Sequence, residues 1–194
     1  MQKSFYLQME DIICSLTARP RLLLHSCCGP CSTAVLERLC RHFDVTLHYD
    51  NPNIQPAEEY QKRLETQREV CRRLGITVVE EPYDDGEFMA AAAGLEDEPE
   101  GGRRCTECFR LRLQKTAEAA RAGGYDYFTT TLTVSPHKNA PLINELGQRA
   151  ADEWGVPFLP SDFKKREGYK RSIALSAEYG LYRQDYCGCL FSKR

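Results

Sequence analysis

The sequence predicts an α/β fold in a single domain: a parallel sheet with helices packed on both faces. Two observations predict it. Short apolar runs alternate with longer stretches of helical periodicity from one end of the chain to the other, and this alternation implies a parallel sheet. The chain has 194 residues, 42% of them apolar, which suits one domain with a real core.

Each element has its own signal. Residues 1–20 read as a short amphipathic N-terminal helix with Phe5, Ile12, Ile13 and Leu16 facing inward. "RLLLH" opens the first strand at 21–24, and residues 33–43 carry helical spacing with Val35, Leu36, Leu39 and Cys40 on one face. A second strand spans 44–49. The charged stretch 57–74 is a helix stopped by Gly75. Residues 76–80 form a third strand and 88–93 a short helix. The acidic stretch 96–102 has no periodicity and is expected to be an exposed, mobile loop. A helix over 106–121 ends at Gly123 and Gly124, followed by a strand at 125–130, a helix at 141–154, a short fifth strand at 156–159 and a last helix at 167–179. A cysteine-bearing tail, 181–194, closes the chain.

Charge and hydropathy narrow the function classes. A formal charge of −2 argues against coating nucleic acid by charge alone and leaves room for a local basic patch. No apolar run suffices to span a bilayer, and residues 1–20 lack the apolar centre of a secretory signal, so a cytoplasmic location is expected and no membrane partner. In a reducing compartment ten cysteines point to metal binding or redox chemistry, not a disulfide framework.

In parallel sheets ligands bind at the carboxyl ends of the strands. Cys27 and Cys28 follow the first strand, Asn51 the second, and residues 131–137 the fourth, so these segments should meet at one edge. Cys14, Cys40 and Cys71 stand alone in helical patterns and read as small buried hydrophobes. The other seven fall into Cys27-Cys28-x-x-Cys31, Cys105-x-x-Cys108 and Cys187-x-Cys189. Thiolates are soft ligands for zinc or iron–sulfur clusters. Four cysteines serve a four-iron cluster, and a structural zinc would take two C-x-x-C knuckles, leaving Cys27, Cys187 and Cys189 unexplained. Cys105 and Cys108 open a helix, whose N-terminus favours thiolate and a negatively charged cluster, as do Arg103 and Arg104. Cys187-Gly188-Cys189 reads either as a tight, labile dithiol pair or as two further metal ligands.

The segments "HSCCGPCS", "YDNPNIQPAEEY", "RCTECFRLRL", "TTTLTVSPHKN", "DFKKREGYKRS" and "LYRQDYCGC" resemble, in order and over about residues 21–190, the cobalamin-independent epoxyqueuosine reductases of the QueH type. The resemblance implies a Rossmann-like fold related to the adenine-nucleotide α-hydrolases. It implies reduction of epoxyqueuosine to queuosine in tRNA, the last step of queuosine synthesis, with an electron donor that it does not name. Carried over to this chain, it places a [4Fe–4S] cluster on Cys27, Cys28, Cys105 and Cys108. Cys187 and Cys189 become a redox-active pair, or in part ligands of a neighbouring metal, and Cys31 is a candidate ligand of an additional mononuclear iron.

Removing the epoxide oxygen as water takes two electrons and two protons. Asp50, His137, Tyr169 and Tyr186 are candidate proton donors; Asp50 with Asn51 reads equally as an Asx-type turn. His25 reads as a core histidine. Lys164, Lys165, Arg166, Lys170 and Arg171 form a candidate phosphate-contact surface. Tyr49, Phe109, Tyr169 and Tyr182 are candidate platforms for a splayed base. Two alternatives stand beside this reading. A tRNA sulfur-transfer enzyme of the related fold would need a glycine- and serine-rich phosphate loop where "SCCGPCS" stands. A zinc-binding module would leave three thiols without a role.

Overall fold

The computed structural model describes residues 3–193. Met1, Gln2 and Arg194, which the expected N-terminal helix and tail include, lie outside the described residues. Four strands form one parallel sheet: β1 (Arg21–His25), β2 (Asp44–Tyr49), β3 (Thr77–Glu80) and β4 (Tyr127–Thr130), in the order β3-β2-β1-β4. β1 is central and pairs on both sides, Arg21 with Asp44 through His25 with His48, and Leu22 with Tyr127 through His25 with Thr130.

Side chains alternate across the sheet because the strand period is two. Leu22, Leu24, Val45, Leu47 and Tyr49 face one layer, built by α1 (Phe5–Ser15), α2 (Gly29–Leu39) and α3 (Ala57–Leu74). Leu23 and Phe128 face the other, where α5 (Arg103–Ala122) and α6 (Ala140–Trp154) contribute Phe109, Leu113, Ala117, Ile143, Leu146 and Ala150. The short α4 (Gly86–Ala92) leans on α5, and α7 (Gly168–Glu178) leans on α2. The chain leaves β1 through α2 on one face and reaches β4 through α5 on the other. The carboxyl ends of β1 and β4 therefore flank a topological switch point, the usual crevice for a ligand in such sheets.

β2 and α3 lie where the sequence predicts. The other helices start or end within a few residues of expectation, with two displacements that matter. α2 begins at Gly29, not 33, and α5 at Arg103, not 106, so Cys31 and Cys105 each stand third in their helix, with Cys28 as an N-cap and Cys108 about one turn further on. The fifth strand shrinks to one parallel bridge, Phe128 to Phe158. Pro157 and Pro160 have no N–H to extend a ladder, and Asn144 of α6 fixes the segment instead, bonding both the carbonyl and the N–H of Ser161 at 2.8 Å. The 96–102 loop is exposed as expected but not free. Buried Arg104 donates to the carbonyls of Leu95, Glu96 and Glu98, wrapping the backbone about one guanidinium. Cys71 is buried, Cys40 half-buried, and Cys14 exposed, against expectation; Met9 takes the inward position of α1.

Leu24 is fully buried in the α2/α3 layer. Leu24→Ala should lower stability by about 2–5 kcal/mol, read as a lower urea midpoint with an unchanged denaturant slope.

Candidate active site

Cys28 is the N-cap of α2 and Cys31 its third helical residue, so the two thiols lie on one face of the first turn. Gly29 makes the turn possible. A Cβ there would stand 2.8 Å from the backbone oxygen of Thr66, so only glycine lets α2 start this close to α3. The sulfurs of Cys27, Cys28 and Cys31 lie within 4.8 Å of one another, Cys27 and Cys28 at 3.8 Å. Sulfur–sulfur hydrogen bonds with Cys28 and Cys31, aided by the charges of Lys138 and Arg112, hold Cys27 well below the usual thiol range. The bond to Cys27 pushes Cys28 up to about 12, and the bonds to Cys27 and Cys28 push Cys31 well above the ordinary value. Gln184 donates to the Cys28 sulfur at 3.0 Å from the tail.

Cys105 and Cys108, in the first turns of α5, face the tail. Cys108 packs with Cys189, Phe88 and Ala92. The expectation that the helix N-terminus lowers their pKa is corrected. Burial raises Cys105 and pushes Cys108 up to about 12. Cys105, Cys108, Cys187 and Cys189 are all free of disulfides. Between the two groups stands Arg112, one turn after Cys108. Its Nη1 lies 3.9 Å from the Cys108 sulfur, and its field acts on Cys27.

The tail is clamped by Arg63 of α3, which is 1% exposed. Its Nη1 and Nη2 donate to the carbonyls of Cys187 and Tyr186, and its Nε to Glu59. The Gln55 N–H donates to the Gly188 carbonyl at 2.8 Å. Gly188 itself has φ +131°. The tail and the 134–138 loop enclose a cavity of about 760 Å³, lined by Cys31, Cys187, His137, Lys138, Tyr169 and Gln184 among others.

The family model described as "Epoxyqueuosine reductase QueH" matches residues 22–194. This chain belongs to that family. QueH family members are named as reductases, so the chain is an oxidoreductase by descent. The epoxyqueuosine reductase QueH of Staphylococcus epidermidis is 48% identical over 182 residues, covering 90% of this chain and 76% of the relative. That of Streptococcus pyogenes is 44% identical over 193 residues, 96% of this chain and 76% of the relative. That of Thermotoga maritima is 37% identical over 174 residues, 88% and 89%. Among solved structures, the U34-tRNA thiolase NcsA from Methanococcus maripaludis with its [4Fe-4S] cluster has a TM-score of 0.58 at 10% identity, covering 98% of this chain and 67% of that one. The likeness shows the adenine-nucleotide α-hydrolase-like fold.

Against the ligand set that the QueH resemblance implies, the structure groups the thiols differently. Cys31 joins Cys27 and Cys28 in the tight trio, because N-cap and third helical position share a face. Cys105 and Cys108 stand across Arg112 and lean toward Cys187 and Cys189. Of the proposed proton donors, His137, Tyr169 and Tyr186 line the cavity. Asp50 does not: it is 3% exposed, 3.4 Å from Lys115 on α5, and burial raises its pKa. Asn51 opens a turn, its carbonyl accepting from the Ile54 N–H at 3.1 Å, while its side chain joins Ser26 to Arg112. Of the aromatic platforms, Tyr169 alone lines the cavity; Tyr49 and Phe109 are core, and Tyr182 bonds Glu59 beneath Lys62.

The basic run lies elsewhere. Lys164 pairs with Asp162, Lys170 with Glu167 and Arg171 with Glu37, while Lys165, Arg166 and Arg171 border a second depression with Arg38, Arg41 and His42 of the α2 end. None of the five lines the large cavity. The sequence reading missed Arg112, Lys138 and Gln184. Arg112 had a signal: it lies four residues after Cys108, on the same helix face.

A Cβ on Gly188 would meet Arg63 Nη1 and Ile54 Cγ1 at 3.1 Å, at a φ side chains rarely adopt. Gly188→Ala should cost about 1–3 kcal/mol locally. It should loosen the tail, visible as faster hydrogen exchange at the Gln55 amide with the sheet amides unchanged.

Proposed function

We propose that this chain reduces epoxyqueuosine to queuosine in tRNA in the cytoplasm, removing the epoxide oxygen as water in the cavity beneath the tail. The observation that carries the reading is the convergence of seven thiols from three segments on one sheet edge, beside a cavity that Cys31 and Cys187 line.

The donor set fits an iron–sulfur cluster. Two helix starts offer Cys27 with Cys28 and Cys105 with Cys108, and the buried cation Arg112 lies between them to balance thiolate charge. These four would hold the [4Fe–4S] group, and when bound it supplies single electrons at low potential. Cys31, left over from that set and open to the cavity, is the ligand available to an additional mononuclear iron.

The chain's own groups complete the chemistry. Oxidation of the Cys187 and Cys189 dithiol to a disulfide releases two electrons and two protons, the amount that turns an epoxide into an alkene and water. An external reductant then restores the dithiol. Lys138, His137 and Tyr169 present donors to the leaving oxygen from the cavity wall. Asp50 stays paired with Lys115 beneath the edge. Lys164, Lys165, Arg166, Lys170 and Arg171, with Arg41, supply phosphate contacts that position the tRNA without reading its sequence.

Protein purified without oxygen should carry about four or more iron and about four sulfide per chain. With a chemical reductant it should convert epoxyqueuosine in tRNA to queuosine, read by nucleoside mass spectrometry. Zinc without sulfide, or iron-loaded protein that leaves the epoxide intact, overturns the reading. Cys189→Ser should lose at least about tenfold in rate, the scale expected when a group acting in the reaction is removed; turnover at the wild-type rate removes the dithiol from the mechanism.

A further inference from the structure

Arg112 carries a full positive charge in the interior, 1% exposed. Its partners among the described residues are His25, Asn51 and Cys108, none of them a carboxylate. Nε–H donates to His25 Nε2 at 3.2 Å, and Nη2 donates to Asn51 Oδ1 at 2.7 Å. As the acceptor of that bond at Nε2, His25 carries its proton on Nδ1, which is directed at Thr130 Oγ1, 2.8 Å away on β4. Asn51 is anchored in turn by donating to the Ser26 carbonyl at 2.8 Å.

Two neutral acceptors, each tied to a strand end, therefore orient the guanidinium and leave its charge unmatched. An unpaired buried cation costs several kcal/mol. Hydrogen bonds to neutral acceptors satisfy its donors but not its charge. The sulfur nearest the guanidinium is that of Cys108, 3.9 Å from Nη1, with Cys27 and Cys187 close enough for their charge, when present, to act on it. A protonated thiol carries no charge to set against Arg112. Thiolates that have lost their protons to a metal compensate it.

We propose that Arg112 is the countercharge of the thiolate-bound cofactor, a positioning residue that retains the cluster and raises its reduction potential. The inference rests on the iron–sulfur reading above. Reduction adds a negative charge beside a fixed positive one, and in a poorly polarisable interior that interaction outlasts screening. His25 and Asn51 act through Arg112, by fixing where its charge stands.

The test uses anaerobically purified, iron-loaded protein and reads potential, not turnover. In Arg112→Gln the midpoint should move to more negative potential, so that at a fixed poise the reduced fraction falls by at least about tenfold; iron should also pass to a chelator faster. Arg112→Lys keeps the charge and should stay near wild type. A glutamine variant with full iron and sulfide and an unmoved midpoint overturns the inference and leaves the function standing. Should the glutamine variant not fold, the lysine variant decides, because full loading with a midpoint moved negative far enough to cut the reduced fraction at the same poise by about tenfold, despite the retained charge, overturns the role equally. Wild-type protein without iron and sulfide overturns the function and this inference together.

Discussion

The pairing of β1 with both β2 and β4 is the constraint on which everything else depends. Because β1 is central and all its neighbours are parallel, three carboxyl ends lie side by side. The turn after β1 has nowhere to go but over that edge, and it carries Cys27, Cys28 and Cys31. The same register brings His25 beside Thr130, and Asn51 comes within reach of Ser26, so the supports of the site are extensions of the sheet itself.

On that frame the local electrostatics run against simple helix-end reasoning. Two helices start at the thiol sites, and their partial positive charge favours thiolate. Desolvation opposes it and raises Cys105 and Cys108. Cys27 is lowered instead, by sulfur–sulfur hydrogen bonds with Cys28 and Cys31 and by the charges of Lys138 and Arg112. The edge in this QueH family member is thus prepared for anions by residues on α5 and on the loop after β4.

The tail adds a mobile-looking segment to a rigid floor, and Arg63 removes the freedom. One guanidinium takes two successive carbonyls, while Gly188 returns a third bond to Gln55. Phe191 and Cys189 then pack against Phe88 and Cys108. Cys187 is left on the cavity wall and Cys189 beneath it, so the two thiols of the pair differ in environment despite one intervening residue.

The sequence by itself determined the layered parallel fold, the three cysteine groups, and the meeting at one edge of the segments that follow the first, second and fourth strands. Local periodicity, the stop at Gly75 and the tight C-x-C and C-x-x-C spacings are short-range facts that one chain records directly. The motifs also carried the family. What only the tertiary structure decided is which thiols face which. Cys31 folded onto Cys28 because α2 starts four residues earlier than its apolar pattern shows, the turn being closed by contact with Thr66 of another helix. Asp50 left the site because Lys115 of α5 lies beneath it. The basic run proved to be largely paired, with Glu37, Asp162 and Glu167 as partners. Arg112 was invisible as a buried charge because its acceptors come from 87 and 61 residues away in the chain. Burial and charge pairing are sums over neighbours distant in sequence, and only folding selects those neighbours.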